Sequence, residues 1–120
     1  MKGVTALMIS SLNGWMRDLV QKLTKQSWNI VINEEQRKES EIQNFVEQTL
    51  KEYQHIDVLI INNQCRRHYR ASIDEFPSEK WKEINDSNLI LTFTLIKTLW
   101  PHMKRQHFGR IIHLVSIIDN

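Results

Sequence analysis

Four apolar runs of strand length, separated by stretches with helical periodicity, constrain the fold of this chain more than any other feature. The runs occupy residues 4–9, 29–32, 56–61 and 110–118. Between them, apolar residues recur at helical spacing over residues 15–26, 34–54 and 85–106. Apolar strands that alternate with helices predict βαβ units and a parallel sheet with helices on both faces. Right-handed crossovers then narrow the topology to a doubly wound α/β fold.

Length and composition limit the possible classes of protein. The chain has 120 residues, which predicts a single domain over residues 1–120. A charged fraction of 25% is typical of a globular protein, and a net charge of +2 does not favour nucleic acid or an anionic membrane as a partner. No apolar run approaches the ~18 residues of a membrane span. The single cysteine, Cys65, excludes an internal disulfide and favours a cytoplasmic location.

Polar residues follow three of the predicted strands, where a doubly wound sheet binds its ligands. They are Ser10, Ser11, Asn13 and Gly14 after the first strand, Asn33 after the second, and Asn62 and Asn63 after the third. The first group could donate amides and hydroxyls to a phosphate, or it could cap the following helix. Glycine is the usual residue where backbone must approach a phosphate closely. The chain has 3 glycines, so few of its positions suit such an approach.

Residues 73–81, Ile-Asp-Glu-Phe-Pro-Ser-Glu-Lys-Trp, and the ungapped segment 81–116 carry a resemblance to a known family. They resemble the middle of bacterial D-β-hydroxybutyrate dehydrogenases, within the short-chain dehydrogenase/reductase family. The resemblance implies a Rossmann-like three-layer fold with about four parallel strands. It also implies an NAD-dependent oxidoreductase ancestry and a chain that is truncated to the first half of a full member.

The chain departs from the family at its glycine motif. Where the family has Thr-Gly-x-x-x-Gly-x-Gly, this sequence has Ile9, Ser10, Gly14 and Met16. Met16 is predicted to place a long side chain where backbone must approach the cofactor pyrophosphate. The family's Asn-Asn-Ala-Gly becomes Asn-Asn-Gln-Cys at residues 62–65, with bulkier side chains. We therefore expect NAD binding to be weak or absent.

Two larger elements of the family are also expected to be missing. Residues 33–56 leave room for one helix only, so the strand whose loop flanks the adenine is predicted to be deleted. The Tyr-x-x-x-Lys pair does not occur in the 120 residues. In a complete member, NAD accepts hydride from a secondary alcohol such as 3-hydroxybutyrate while the tyrosine acts as base and the lysine tunes it.

Two candidate catalytic positions remain by resemblance. Ser116 matches the serine that polarises the substrate carbonyl, and Asn88 matches the asparagine that holds a relay water. The alternative for Ser116 is a strand-end serine that satisfies local backbone groups. Asn88 is a weak helix former in a helical stretch, and inheritance alone would explain it.

Charge near the cofactor site gives a preference between cofactors. Asn33, Glu34 and Glu35 lie where the fold selects its cofactor, and the two glutamates would repel a 2′-phosphate, which favours NAD over NADP. Arg37 and Lys38 act in the opposite direction. The alternative is a solvated helix start, where acidic residues suit the helix dipole. The basic residues 66–70 could bind an anion or form a solvated loop. The 5 histidines show no metal-ligand spacing, so no metal is predicted.

Two functions from different classes follow. The first is a truncated, catalytically inactive dehydrogenase-like protein. The second is a non-catalytic interaction module that self-associates, or that pairs with an intact relative or a separately encoded second half. Residues 110–118 are apolar on both sides and are expected to form an open sheet edge. The predicted helix over residues 85–106 adds an apolar surface through Leu89, Phe93, Ile96 and Trp100.

Overall fold

The computed structural model describes residues 3–10, 14–33, 39–62 and 71–114. Its strands are β1 (Thr5–Ile9), β2 (Asn29–Asn33), β3 (Val58–Asn62) and β4 (Arg110–Leu114). Its helices are α1 (Gly14–Lys25), α2 (Glu39–Tyr53), α3 (Ser78–Asn85) and α4 (Leu91–Gln106). The strands pair in parallel in the order β2-β1-β3-β4, which confirms the predicted α/β fold with a parallel sheet. The predicted continuation of the last strand to residue 118 lies outside the described residues.

The strand order reverses between β1 and β3, and this reversal places the ligand-binding end of the sheet. From β1 the chain moves to β2 on one side and then returns to β3 on the other side. In the described residues, α2 is the one helix between β2 and β3, and no strand lies beyond β2. This agrees with the predicted single helix between residues 33 and 56.

Alternating side chains of the two central strands form a core on each face of the sheet. β1 and β3 are buried along their whole length. On one face, apolar residues of β1 and β3 pack against α2 and α4, with Ile42, Val46, Leu95 and Leu99 fully or almost fully buried. On the other face, Ala6, Met8, Val58 and Ile60 pack against α1. Burying both faces explains why these strands are continuous apolar runs rather than alternating ones.

Three helices end on non-glycine residues in the left-handed region. Ser27, Gln54 and His107 have φ of 65°, 70° and 57°. Each follows a helix, and the backbone around it returns hydrogen bonds to the last turn, as in Phe108 N–H to the Met103 carbonyl at 3.3 Å. Left-handed backbone costs a residue other than glycine about 1 kcal/mol. These helix ends therefore carry a conformational cost that glycine would avoid, in keeping with the 3 glycines of the sequence.

Gly109 lies against α4 and does not end the helix. His107 ends α4, and Gly109 lies two residues further on, against the helix. A Cβ on Gly109 would lie 2.5 Å from the Met103 sulfur and 2.7 Å from its Cβ. Gly109 therefore allows close approach of the β4 entry to α4 rather than a left-handed turn.

One residue, Asp57, connects three strands at the amino-terminal end of the sheet. The Asp57 Oδ2 atom accepts the Thr5 backbone N–H at 2.9 Å and the His55 Nδ1 at 2.7 Å. The Asp57 carbonyl accepts the Arg110 N–H at 2.9 Å. Asp57 therefore connects the starts of β1, β3 and β4, and it holds their register.

We expect Gly109→Ala to lower the free energy of unfolding by about 1–3 kcal/mol, because buried Met103 must move to admit the new methyl group. Gly14→Ala is the matched control, since no heavy atom lies within 4 Å of a Cβ there. Urea unfolding of both variants measures the effect. Equal stability of the two variants would show that the contact between Gly109 and Met103 relaxes freely.

Candidate functional site

Three predicted site residues meet at the carboxyl end of the sheet. Ser10 follows β1, while Asn33 and Asn62 end β2 and β3. The Asn62 side-chain Nδ2 donates to the Ser10 hydroxyl at 3.1 Å. The Ser10 backbone N–H donates to the Asn33 carbonyl at 3.2 Å. The structure thus brings these three residues together at the point where the strand order reverses, and Ser10 is the link between them.

Asn62 carries an unsatisfied acceptor in this group. Its side chain is 6% exposed, and its Oδ1 atom is buried without a hydrogen-bond partner among the described residues. A buried carbonyl without a donor costs about 1–3 kcal/mol. A ligand hydroxyl or amino group that reached this atom would remove that cost. The Oδ1 atom is itself buried, so a ligand reaches it only if the packing around Ser10 and Asn62 opens.

Gly14 lies at the start of α1, beside this end of the sheet. A side chain here would meet no heavy atom within 4 Å, so packing of the described residues does not require glycine. The open space leaves the first turn of α1 accessible. That turn carries no acidic residue that would repel an anion.

Met16 does not lie where the sequence predicted it. It is completely buried, and it packs on the α1 face of the sheet with Ala6, Met8, Val58 and Ile60. The side chain therefore contacts the core and does not project toward a cofactor pyrophosphate. This corrects the expectation that Met16 blocks the phosphate directly. The third glycine of such motifs serves close packing of helix on strand, and here a thioether side chain occupies that contact.

Several predicted residues cannot be placed in the site. Ser11, Asn13, Asn63 and Ser116 lie outside the described residues, as do residues 34–38 and the basic residues 66–70. The backbone of Asn88 lies in a π-helical turn, Asp86–Ile90, between α3 and α4. Such turns often occur at functional sites. The periodicity of the sequence gave no sign of this turn.

The described residues also bear on metals and membranes. Among residues 3–10, 14–33, 39–62 and 71–114, no group of three or more His, Cys, Asp or Glu side chains could hold a metal ion. Among the helices in that part of the chain, none is long and apolar enough to cross a bilayer.

Two surface features involve α4: a groove beside β4 and an apolar stripe. A groove of about 600 Å³ runs between the end of α4 and β4, with Trp100, Met103, Phe108 and Ile111 among its lining residues. An apolar stripe on the helical segment after α3 comprises Leu89, Ile90, Phe93 and Trp100, which are 56–65% exposed. The sequence analysis predicted Leu89, Phe93 and Trp100 as apolar surface, and the structure confirms their exposure. It also predicted Ile96, which is wrong, because Ile96 is partly buried and packs against the core.

Comparison with known proteins identifies the family to which this architecture belongs. A family model described as short chain dehydrogenase matches residues 1–119. The chain therefore belongs to the short-chain dehydrogenase family.

The chain is similar to longer members of that family. It is 35% identical over 80 residues to an uncharacterized oxidoreductase, YxjF, of Bacillus subtilis, covering 67% of this chain and 30% of that protein. It is 26% identical over 141 residues to a D-beta-hydroxybutyrate dehydrogenase of Cupriavidus necator, covering 97% of this chain and 54% of that protein. The chain thus spans about half, or less, of the length of these relatives.

Solved structures share the fold at lower identity. ElxO with NADP bound matches with a TM-score of 0.82 and 16% identity, over 97% of this chain and 56% of that one. The NADH-dependent reductase A1-R′ complexed with NAD matches with a TM-score of 0.74 and 19% identity, over 97% of this chain and 60% of that one. At this identity the likeness shows the Rossmann-like fold alone.

We expect Met16→Ala to lower the free energy of unfolding by about 2–5 kcal/mol, because it leaves a cavity between α1 and the sheet. Arg17→Ala, at the exposed neighbouring position, should change it by less than about 0.5 kcal/mol. Denaturant unfolding of the two variants distinguishes them. A Met16→Ala protein as stable as the parent would show that this side chain is not part of the core.

Proposed function

We propose that this chain is a catalytically inactive scaffold of the short-chain dehydrogenase type that binds NAD weakly or not at all. The observation that carries the proposal is the contact between Ser10 and Asn62 at the carboxyl end of the sheet. Ser10 occupies the first glycine position of the family motif, and its hydroxyl is bonded to Asn62 and almost completely buried. A side chain therefore fills part of the space in which backbone would meet a cofactor phosphate.

The residues present fit a nicotinamide dinucleotide in part. The orphaned Asn62 Oδ1 atom suits a hydroxyl or amino donor, and the open space at Gly14 suits an anion at the start of α1. The Ser10 side chain opposes close approach of a cofactor phosphate to the backbone after β1. The absence of a strand beyond β2 in the described sheet removes one wall of the adenine side. These features together support weak binding.

The residues that would hold the cofactor in this arrangement are Gly14, Asn33 and Asn62, with Ser10, Ser11, Asn13 and Asn63 as candidates from the sequence. A bound nicotinamide would supply hydride acceptance from an alcohol. We propose NAD rather than NADP, because Asn33 precedes two glutamates in the sequence that would repel a 2′-phosphate.

The proposed inactivity rests on proton transfer. A secondary alcohol must lose its hydroxyl proton to a base when hydride leaves the carbon. Neither tyrosine in the sequence, Tyr53 or Tyr69, has a lysine four residues later. Ser116 and Asn88 remain candidate positions for carbonyl binding and a relay water. Neither side chain replaces the tyrosine base.

A second candidate function is a self-associating interaction module in the cytoplasm. The apolar stripe favours it, because four large apolar side chains there are more than half exposed. Contiguous apolar surface of this kind is typical of a protein–protein contact. Pairing with an intact relative or a separately encoded second half would use the same surface.

We expect titration calorimetry with NAD to give a Kd of about 1 mM or weaker. Ser10→Gly should tighten binding several-fold, because it removes the Cβ and hydroxyl beside the phosphate position. Ser10→Ala is the matched control, since it removes the hydroxyl but keeps the Cβ. A micromolar Kd for the parent chain would contradict the proposal and would show that the turn after β1 still cradles a phosphate.

We expect no steady NADH production from 3-hydroxybutyrate by the purified 120-residue chain. General acid–base catalysis contributes about 10²–10⁴-fold, and its residue pair is missing. Absorbance at the NADH band measures the rate. Activity that persists through repurification and disappears in Ser116→Ala would overturn the proposed inactivity.

A further inference from the structure

The hydrogen bond between Ser10 and Asn62 lies on the face of the sheet that α1 covers. Side chains alternate along a strand, so Ser10 lies on the same face as Met8 of β1. Asn62 likewise lies on the face of Ile60, and Met8 and Ile60 both pack with α1. Leu114, the strand partner of Asn62 on β4, packs there as well. The bonded pair therefore lies at the end of an apolar cluster, on the side of the sheet where α1 begins.

Ser10 is held from both neighbouring strands. Its backbone N–H donates to the Asn33 carbonyl at the end of β2 at 3.2 Å. Its hydroxyl accepts a hydrogen bond from the Asn62 Nδ2 group at 3.1 Å, and the residue is almost completely buried. The first residue after β1 is therefore fixed in place, and its hydroxyl cannot be displaced unless a hydrogen bond is broken.

This closed arrangement, in which Nδ2 of Asn62 bonds Ser10, leaves the other end of the Asn62 amide unpaired. The Oδ1 atom is buried and has no hydrogen-bond partner among the described residues. A buried polar atom without a partner destabilises the arrangement that contains it. If Asn62 turned away from Ser10 and met a ligand donor, Oδ1 would be satisfied and the bond to Ser10 would be lost. The side chain therefore has two competing sets of partners.

The closed arrangement does not fit a dinucleotide phosphate. By the resemblance, Ser10 stands at the first glycine of the family motif, where backbone must approach the pyrophosphate. A phosphate at this position would have to displace the Ser10 hydroxyl and break its bond to Asn62. The net strength of one neutral hydrogen bond corresponds to about 2- to 12-fold in an equilibrium constant.

We propose that the bond between Ser10 and Asn62 is an autoinhibitory contact, which must open before the carboxyl end of the sheet binds NAD. The proposal rests on the weak NAD binding proposed above, and it assigns the cause to a bond between two side chains rather than to the bulk of Ser10 alone. A ligand that offers a donor to the Asn62 Oδ1 atom binds the open state better, so it shifts the population toward that state.

Ser10→Ala separates the bond from the bulk of the side chain, because it removes the hydroxyl and keeps the Cβ. We expect it to tighten NAD binding about 2- to 12-fold over the parent chain. Titration of the backbone amide signals by NMR measures such weak binding. Thr5→Val is the control, because it removes a buried hydroxyl without a described partner at the opposite end of β1. Its Kd for NAD should equal that of the parent.

Asn62→Leu tests whether the gain depends on Asn62. Leucine has the branched shape of asparagine but cannot donate a hydrogen bond to Ser10. In the Asn62→Leu background, Ser10→Ala should no longer tighten NAD binding, because no bond remains to be broken. A gain of the same size in both backgrounds would overturn the autoinhibitory contact, provided circular dichroism shows that the Asn62→Leu proteins fold.

Hydrogen exchange detects the closed arrangement without NAD. The side-chain amide protons of Asn62 should exchange with water several-fold faster in Ser10→Ala than in the parent, because the bond that protects them is lost. This measurement needs only those two proteins, so it does not depend on the folding of Asn62→Leu. Equal exchange rates in the two proteins would contradict the proposal.

The binding results also separate this proposal from the proposed function. If Ser10→Gly binds NAD more tightly while Ser10→Ala binds as weakly as the parent, the autoinhibitory contact is wrong and the bulk of Ser10 causes the weak binding. If neither variant gains affinity, the contact is wrong and the weak binding stands. A micromolar Kd for the parent would overturn both proposals.

Discussion

A parallel sheet must be covered on both faces and paired along both edges, and the rest of this structure depends on how far the chain meets that requirement. β1 and β3 meet it fully, with helices above and below and a strand on each side. Their burial fixes the reversal of strand order between them, and that reversal places Ser10 and Asn62 next to each other. β2 and β4 meet the requirement only in part, and their outer edges remain open in the described chain.

The fold was predictable because apolar burial leaves a periodic signature. Val58–Ile61 reads as a continuous apolar run because both faces of β3 are covered. Helical spacing gave α1 and the ends of α2 and α4 to within one residue. It placed the start of α2 five residues too early, and it joined α4 to the π-helical turn before it. The short connection between residues 33 and 56 also gave the single helix between β2 and β3, because one helix and its turns use that length. These signals are local, so they can be read from the sequence without knowledge of the tertiary contacts.

The errors and omissions concern features that apolar periodicity does not register. Sequence position suggested Gly109 as a helix stop, but clearance from Met103 determines its role, and His107 takes the left-handed conformation. The bond between Ser10 and Asn62 joins residues 52 apart and has no local signature. The π-helical turn around Asn88 is a change of hydrogen-bond register that apolar periodicity does not detect. The roles of Ser116 and Asn88 rest on resemblance and stay predictions.

Met16 packs in the core and Ser10 lies at the candidate site, so the two side chains have different roles. By the resemblance, both residues stand where the family has a glycine that leaves room for close approach of the backbone. Both side chains are buried in this structure. Met16 adds apolar contacts between α1 and the sheet, and Ser10 gives Asn62 a hydrogen-bond partner. Each change stabilises the unliganded chain at a position where the family keeps space for close approach. The proposed weak affinity for NAD follows from these two side chains, because they occupy positions at which a phosphate site needs small residues.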